Sequence, residues 1–135
     1  MSSYQYIIIG GGVSGLYAAY LLEQRGITDY LLIEANDVLG GRLKSMPINE
    51  DEAFDLGATW FWPNEQTQLS NVIHDFGLTT FDQYQIGEML IDRSLLIPPQ
   101  RWKQHSPESK RVKGGMKALI DKVVSKLDQT HILLS

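Results

Sequence analysis

Three glycines at fixed spacing constrain this chain more than anything else in it. Gly10-x-Gly12-x-x-Gly15 follows Ile7, Ile8 and Ile9 and precedes a stretch without proline, further glycine or charge until Glu23. Residues 4–9 form a short apolar run that ends at glycine, which reads as a buried parallel strand. Residues 13–25 read as a helix closed by Gly26. Between the two, each glycine has a physical task. Gly10 permits a tight exit from the strand. Gly12 lets the backbone come close to a pyrophosphate, where a Cβ would collide. Gly15 lets the helix lie against the strand. The helix N-terminus, at Val13 and Ser14, then offers N–H groups and the positive end of its dipole to the phosphates. A glycine turn between a core strand and a core helix would share the pattern, so the second strand is the test.

Residues 29–34 supply that strand, apolar until it ends in Glu34, 19 residues after Gly15. This is near the spacing of the acid that accepts hydrogen bonds from ribose hydroxyls in a dinucleotide site. A carboxylate there repels a 2′-phosphate and argues against NADP. An exposed strand-end acid is the plainer alternative.

Composition removes several function classes. The chain has 135 residues and no cysteine, which excludes disulfides and thiolate metal sites and gives no sign of an oxidising compartment. Residues 1–92 hold 13 acids and 3 bases, and residues 93–135 hold 3 acids and 9 bases. Lys113 with Lys117, and Lys122 with Lys126, stand at i,i+4 spacing, so the basic end reads as a solvated helix face and not as a nucleic-acid surface. Residues 6–22 lack charge, but Gly10–Gly12 interrupt them and no basic residue precedes them; neither a membrane span nor a signal peptide fits. A cytoplasmic, soluble chain is expected. No His, Asp and Glu cluster has metal spacing, and no nucleophile–base pair is visible, so neither a metal ligand nor a catalytic residue is assigned. His74 reads as solvated and His131 as a strand residue.

The rest of the chain divides readily. Residues 66–76 carry an apolar stripe at Leu69, Val72, Ile73 and Phe76, an amphipathic helix ended by Gly77. Residues 79–97 alternate β-like pieces with turn signals, and a hairpin over 88–97 is expected. Residues 98–107 read as a loop. Met116, Leu119, Ile120, Val123 and Leu127 mark a last helix, and residues 130–134 a last strand. The strands at 4–9, 29–34 and 130–134 are expected as neighbours in one sheet.

Further motifs carry a resemblance. Glu34-Ala35 is followed by Leu39-Gly40-Gly41-Arg42, by Phe54-Asp55-Leu56-Gly57-Ala58-Thr59-Trp60, and by Lys113-Gly114-Gly115-Met116-x-x-Leu119. This series resembles the N-terminal part of the flavin-containing amine oxidase superfamily, to which monoamine and polyamine oxidases belong, with protoporphyrinogen oxidase and phytoene desaturase as relatives. The resemblance implies an α/β, Rossmann-like three-layer FAD-binding domain with a parallel sheet. It implies FAD contacts at Gly10, Gly12, Val13, Ser14, Gly15, Glu34, Ala35, Gly41, Arg42, Leu43, Gly57, Ala58, Thr59 and Trp60. Arg42 would place its guanidinium beside the phosphates, and Gly57 to Trp60 would pass the flavin ring. The aromatic triplet Trp60, Phe61, Trp62 also fits plain packing, with Phe61 on the opposite face from the two tryptophans.

The activity implied is oxidation of a small-molecule amine: hydride passes to flavin N5, the imine hydrolyses, and oxygen yields peroxide. A desaturase or porphyrinogen oxidase on the same scaffold, or a non-catalytic dinucleotide-binding module, would share these residues. In the superfamily a substrate domain and a C-terminal FAD segment, with a lysine near N5, follow. The expectation is therefore an N-terminal fragment, residues 1–135 being an incomplete FAD-binding domain. Such a chain should be inactive alone and prone to self-association, without nucleic-acid or membrane partners.

Overall fold

A computed structural model describes residues 3–49, 53–103 and 107–135. Strand β1 (Tyr6–Ile9) leads through the glycine turn into helix α1 (Val13–Gln24), and the chain returns as β2 (Tyr30–Glu34). Gly26 ends α1 with φ +72, a left-handed turn that glycine adopts without strain. A long excursion follows before the last strand. It holds the hairpin β3 (Ser45–Pro47) and β4 (Ala53–Asp55), helix α2 (Thr67–Asp75), strand β5 (Thr80–Asp82), the hairpin β6 (Glu88–Ile91) and β7 (Gln100–Lys103), strand β8 (Lys110–Val112) and helix α3 (Lys117–Val124). A 3-10 turn, Gln129–His131, then delivers β9 (Ile132–Leu134).

β1, β2 and β9 form one parallel sheet with β2 in the middle. The expected neighbours are therefore neighbours. β5 pairs antiparallel with β8, so the excursion closes on itself before α3 brings the chain back to the sheet. The fold is a Rossmann-like α/β unit with helices packed on a parallel sheet.

Alternation and the parallel register sort the side chains of the sheet into two faces. Ile8, Tyr30, Leu32 and Ile132 face α1 and α3, and Leu16, Ala19, Leu119, Ile120 and Val123 meet them in the core. Ile73 of α2 and Phe76 just after it, with Phe61, Val112 and Met116, extend the same core. The opposite face, with Ile7, Ile9, Leu31, Ile33 and Leu133, carries no element among the described residues. Ile7 is 59% exposed and Ile9 87%. The expectation of a buried first strand is corrected here: β1 is parallel, but it lies at the edge of the described sheet and its outer face is bare.

Three further differences have local reasons. The 88–103 hairpin is longer than expected, because Pro98 and Pro99 lie in its connection and Gln100–Lys103 pairs with Glu88–Ile91; a charged, four-residue strand has no apolar alternation to set it apart from a loop. Residues 104–106 of that stretch lie outside the described residues. The short strands β3, β4 and β8 carry too few residues to show a period. His131 closes the 3-10 turn and precedes the strand it was expected to join. His74 is exposed, with Nδ1 3.4 Å from Asp75 Oδ1.

Candidate dinucleotide groove

At the C-terminal ends of β1 and β2 two glycine-rich turns meet. Gly40 N–H donates to the Gly11 carbonyl at 2.8 Å, and Gly12 and Gly40 form a parallel bridge. A side chain on Gly41 would stand 3.4 Å from Gly12 Cα. The second motif thus lies directly against the first, although about thirty residues separate them in sequence. Together they wall a groove of about 970 Å³, lined by Gly10, Gly12, Val13, Ser14 and Gly15 on one side and by Gly41, Arg42, Leu43, Gly57 and Ala58 on the other.

The three glycines of the first motif differ in what requires them. Gly10 has φ +103 and would be strained with any side chain. A Cβ on Gly15 would overlap the Gly10 carbonyl oxygen, so its absence lets α1 sit against the strand exit. Gly12 has an ordinary extended backbone, φ −77 and ψ 176, and nothing lies within 4 Å of where its Cβ would be. Neither conformation nor packing within the protein demands glycine there. A Cβ would project into the groove.

Gly12 is also the N-cap of α1. It offers no side chain to cap the helix, and the first turn holds no acid. The first N–H groups of a helix lack intrahelical partners, so α1 presents its positive end to the groove with no side-chain cap and no acid in its own first turn.

Glu34 is buried, which removes the reading of an exposed strand-end acid. Its Oε2 accepts from Gly11 N–H at 2.6 Å. Its Oε1 accepts from Asn36 N–H at 3.0 Å and from Asn36 Nδ2 at 2.6 Å. The Gly11 N–H, then the Asn36 donors, hold this carboxyl below the ordinary glutamate range, so it is ionised at neutral pH. An ionised carboxylate has about four acceptor sites; these bonds use three, and the Ala35 N–H also bears on the carboxylate. Glu34 and Ala35 line a second hollow of about 460 Å³ beside Gly10, bounded by Leu133 and Leu134 of the last strand and by Ser135. Asn36 was missed from sequence; an asparagine two residues after a strand-end acid is the signal that could have found it.

The sequence-predicted residues therefore gather in two adjoining hollows, except Thr59 and Trp60. Thr59 Oγ1 donates to the Gly57 carbonyl at 3.1 Å. Trp60 is half exposed, with the Arg111 guanidinium 5.9 Å from its ring centroid. Phe61 is buried and Trp60 is not, as alternation implied, although residues 60–62 form no regular strand. A side chain on Gly57 would overlap the Arg42 carbonyl oxygen, so this glycine is required by the protein's own backbone. Among the described residues no group of three His, Cys, Asp or Glu could hold a metal ion. No helix there is long and apolar enough to cross a membrane.

Several known proteins are similar to this chain in sequence and fold. A probable flavin-containing monoamine oxidase A of Dictyostelium discoideum is 33% identical over 89 residues, covering 66% of this chain and 19% of that protein. Putrescine oxidase of Kocuria rosea is 37% identical over 83 residues, covering 61% and 16%. A solved structure of putrescine oxidase bound to putrescine superposes with a TM-score of 0.63 at 33% identity, over 76% of this chain and 22% of that one. Cyclohexylamine oxidase from Brevibacterium oxydans gives 0.57 at 30% identity, over 64% and 19%. The chain thus spans about a fifth or less of the length of the curated relatives it matches. Residues 8–85 match the family described as the NAD(P)-binding Rossmann-like domain. The glycine turn, the pinned acid and the parallel sheet make structural sense of that match: the chain belongs to the NAD(P)-binding Rossmann-like domain family, in a form similar to the flavin-containing amine oxidases.

Proposed function

We propose that the groove binds FAD and that the chain is the dinucleotide-binding part of a flavin-dependent amine oxidase. One observation carries the binding reading: Gly12 is a glycine that the protein's own conformation and packing do not need. The pyrophosphate would take the space before Gly12, against the N–H groups of Val13, Ser14 and Gly15. Arg42, on the facing wall with Gly41 and Leu43, would meet phosphate oxygens with its two-pronged guanidinium. Glu34 keeps an acceptor site for a ribose hydroxyl, with Ala35 beside it, and its charge disfavours a 2′-phosphate. Gly57, Ala58, Thr59 and Trp60 would approach the flavin ring. The names of the relatives support flavin over nicotinamide, and amines over the substrates of desaturases or porphyrinogen oxidases.

Bound FAD would accept hydride from the amine's carbon and pass electrons to oxygen, giving imine and peroxide. The chain's own residues bind and orient the cofactor, and none is assigned as acid or base. Self-association through the bare sheet face and a cytoplasmic location belong to the same reading. Titration with FAD, NADH and NADPH, followed by fluorescence, tests it. FAD should bind and Gly12→Val should not bind it. Saturable NADPH binding without FAD binding would overturn the assignment.

A further inference from the structure

We propose that Asp55 is a positioning residue for the groove, clamping its Gly57 wall to the start of α3. The inference rests on the FAD reading for its consequence, but its geometry stands apart from any ligand. Asp55 ends β4 opposite Ser45 of β3. Its Oδ1 accepts from Ser45 Oγ at 2.7 Å and from Met116 N–H at 2.8 Å. Ser45 Oγ in turn accepts from Lys117 N–H at 3.1 Å. Two backbone donors at the start of α3, left without intrahelical partners by helix geometry, are thus satisfied by side chains some sixty to seventy residues earlier.

Gly115 makes the fit: with φ +82, a side chain on it would stand 2.7 Å from both Asp55 Oδ1 and Ser45 Oγ. The aspartate of Phe54-Asp55-Leu56-Gly57 and the glycine pair before Met116 are therefore two halves of one joint. Immediately after Asp55, Leu56 N–H donates to the Lys44 carbonyl at 2.8 Å, and Gly57 passes the Arg42 carbonyl. Lys44, Leu56, Gly57 and Ala58 all line the groove. Further along, α3 reaches the 40–42 turn of the same wall, where Ile120 lies against Gly40. One short helix thus holds two segments of that wall, the 40–42 turn and the strand end before Gly57, and Asp55 is the polar half of that hold.

The test pairs cofactor affinity with amide exchange in the ligand-free protein. Asp55→Ala should weaken FAD binding about tenfold, the scale of a lost hydrogen bond to a charged group, and speed exchange at Leu56 and Met116. Asp55→Asn keeps an acceptor and should recover most of both. Ile73→Ala, in the core under α2 and away from the groove, should lower the melting temperature without the affinity loss. If Asp55→Ala does not fold, Ser45→Ala and Asp55→Asn carry the test, with smaller losses expected in each. Unchanged affinity in the Asp55 and Ser45 variants, or an equal loss in Ile73→Ala, overturns the proposal. Failure of the unaltered protein to bind FAD overturns the functional reading instead; the clamp is then judged by exchange, and unchanged rates in Asp55→Ala refute it.

Discussion

Gly12 and Gly15 stand three residues apart, and substitution should separate their roles cleanly. Gly12→Val places a side chain in open groove on an ordinary extended backbone, so the fold should persist while dinucleotide binding is lost. Gly15→Ala drives a methyl group into the Gly10 carbonyl and should destabilise by about 1–3 kcal/mol, the usual cost of overpacking. Paired urea melts and FAD titrations distinguish them; normal flavin binding by Gly12→Val would refute the phosphate role. Glu34 makes a different kind of prediction. Its folded pKa lies below the unfolded value, so its contribution to stability is present above the ordinary glutamate range, about pH 4.3, and fades as pH falls through the folded value. The stability gap between the unaltered chain and Glu34→Gln should therefore narrow as the pH falls through the ordinary glutamate range and below it. A constant gap would mean that the Gly11 and Asn36 bonds do not favour the charged form. At Arg42, Lys should recover only part of the FAD affinity lost in Ala, because a lysine keeps the charge without the fork. Equal affinity for the unaltered protein and Arg42→Ala would leave it a loop charge.

At the scale of elements, the end of α1, the start of β2 and the turn before β9 are joined by one polar cluster around the buried Tyr30. Tyr30 OH donates to Glu23 Oε1 at 2.5 Å, and Asp128 N–H donates to the same oxygen at 3.0 Å. The His131 ring lies 4.8 Å from that of Tyr30, and Asp128 Oδ1 accepts from Thr130 N–H at 2.9 Å. Burial, then the Glu23 bond, pushes the Tyr30 hydroxyl well above the ordinary tyrosine range. A raised folded pKa contributes stability below the unfolded value, about pH 10, that is lost as pH rises beyond it. Tyr30→Phe should cost about 1.5–3 kcal/mol at neutral pH, the range for hydrogen bonds to charged groups. It should also flatten the alkaline loss of stability, and denaturant melts at pH 8 and 11 would show a steep loss in the variant if Tyr30 were not the cause. This cluster was invisible in the sequence, because its members are spread from residue 23 to residue 131 and share no spacing. The glycine turn, α1, β2 and the order of the sheet were legible, since local period and fixed glycine spacing encode them. The 40–42 turn was legible only through resemblance, because its contact with Gly11 and Gly12 is tertiary. β3, β4 and β8 were not legible: strands of three residues are set by their partners, not by a pattern of their own.

At the scale of the molecule, one face of the sheet decides how this chain behaves alone. Ile7, Ile9 and Leu133 are more than half exposed on a face that no described element covers. β1 pairs only with β2 among the described residues, so its far edge offers unpaired backbone groups beside that apolar face. The 88–103 hairpin adds Leu90, Leu95, Leu96 and Trp102 to the exposed apolar surface. Contiguous apolar surface next to an open strand edge favours association, and burying each aliphatic side chain contributes on the order of 1.5–3 kcal/mol. The same openness bears on chemistry. The groove has walls at Gly12 and at Gly41 to Ala58, but hydride transfer needs an enclosed pocket that excludes water from the flavin and fixes the amine beside it. Among the described residues nothing closes over Ala58 and Trp60 to form one. The 135-residue chain with FAD added should therefore stay at background in a peroxide assay with putrescine, longer polyamines and simple primary amines, and light scattering should give a mass above one chain. Ile9→Lys, which places a charge at the end of the edge strand on the bare face, should shift that mass toward the single chain. Steady peroxide production from a monomeric sample would show that the groove completes its own active site, and a mass unmoved by Ile9→Lys would place the contact elsewhere, with the exposed hairpin as the next surface to alter.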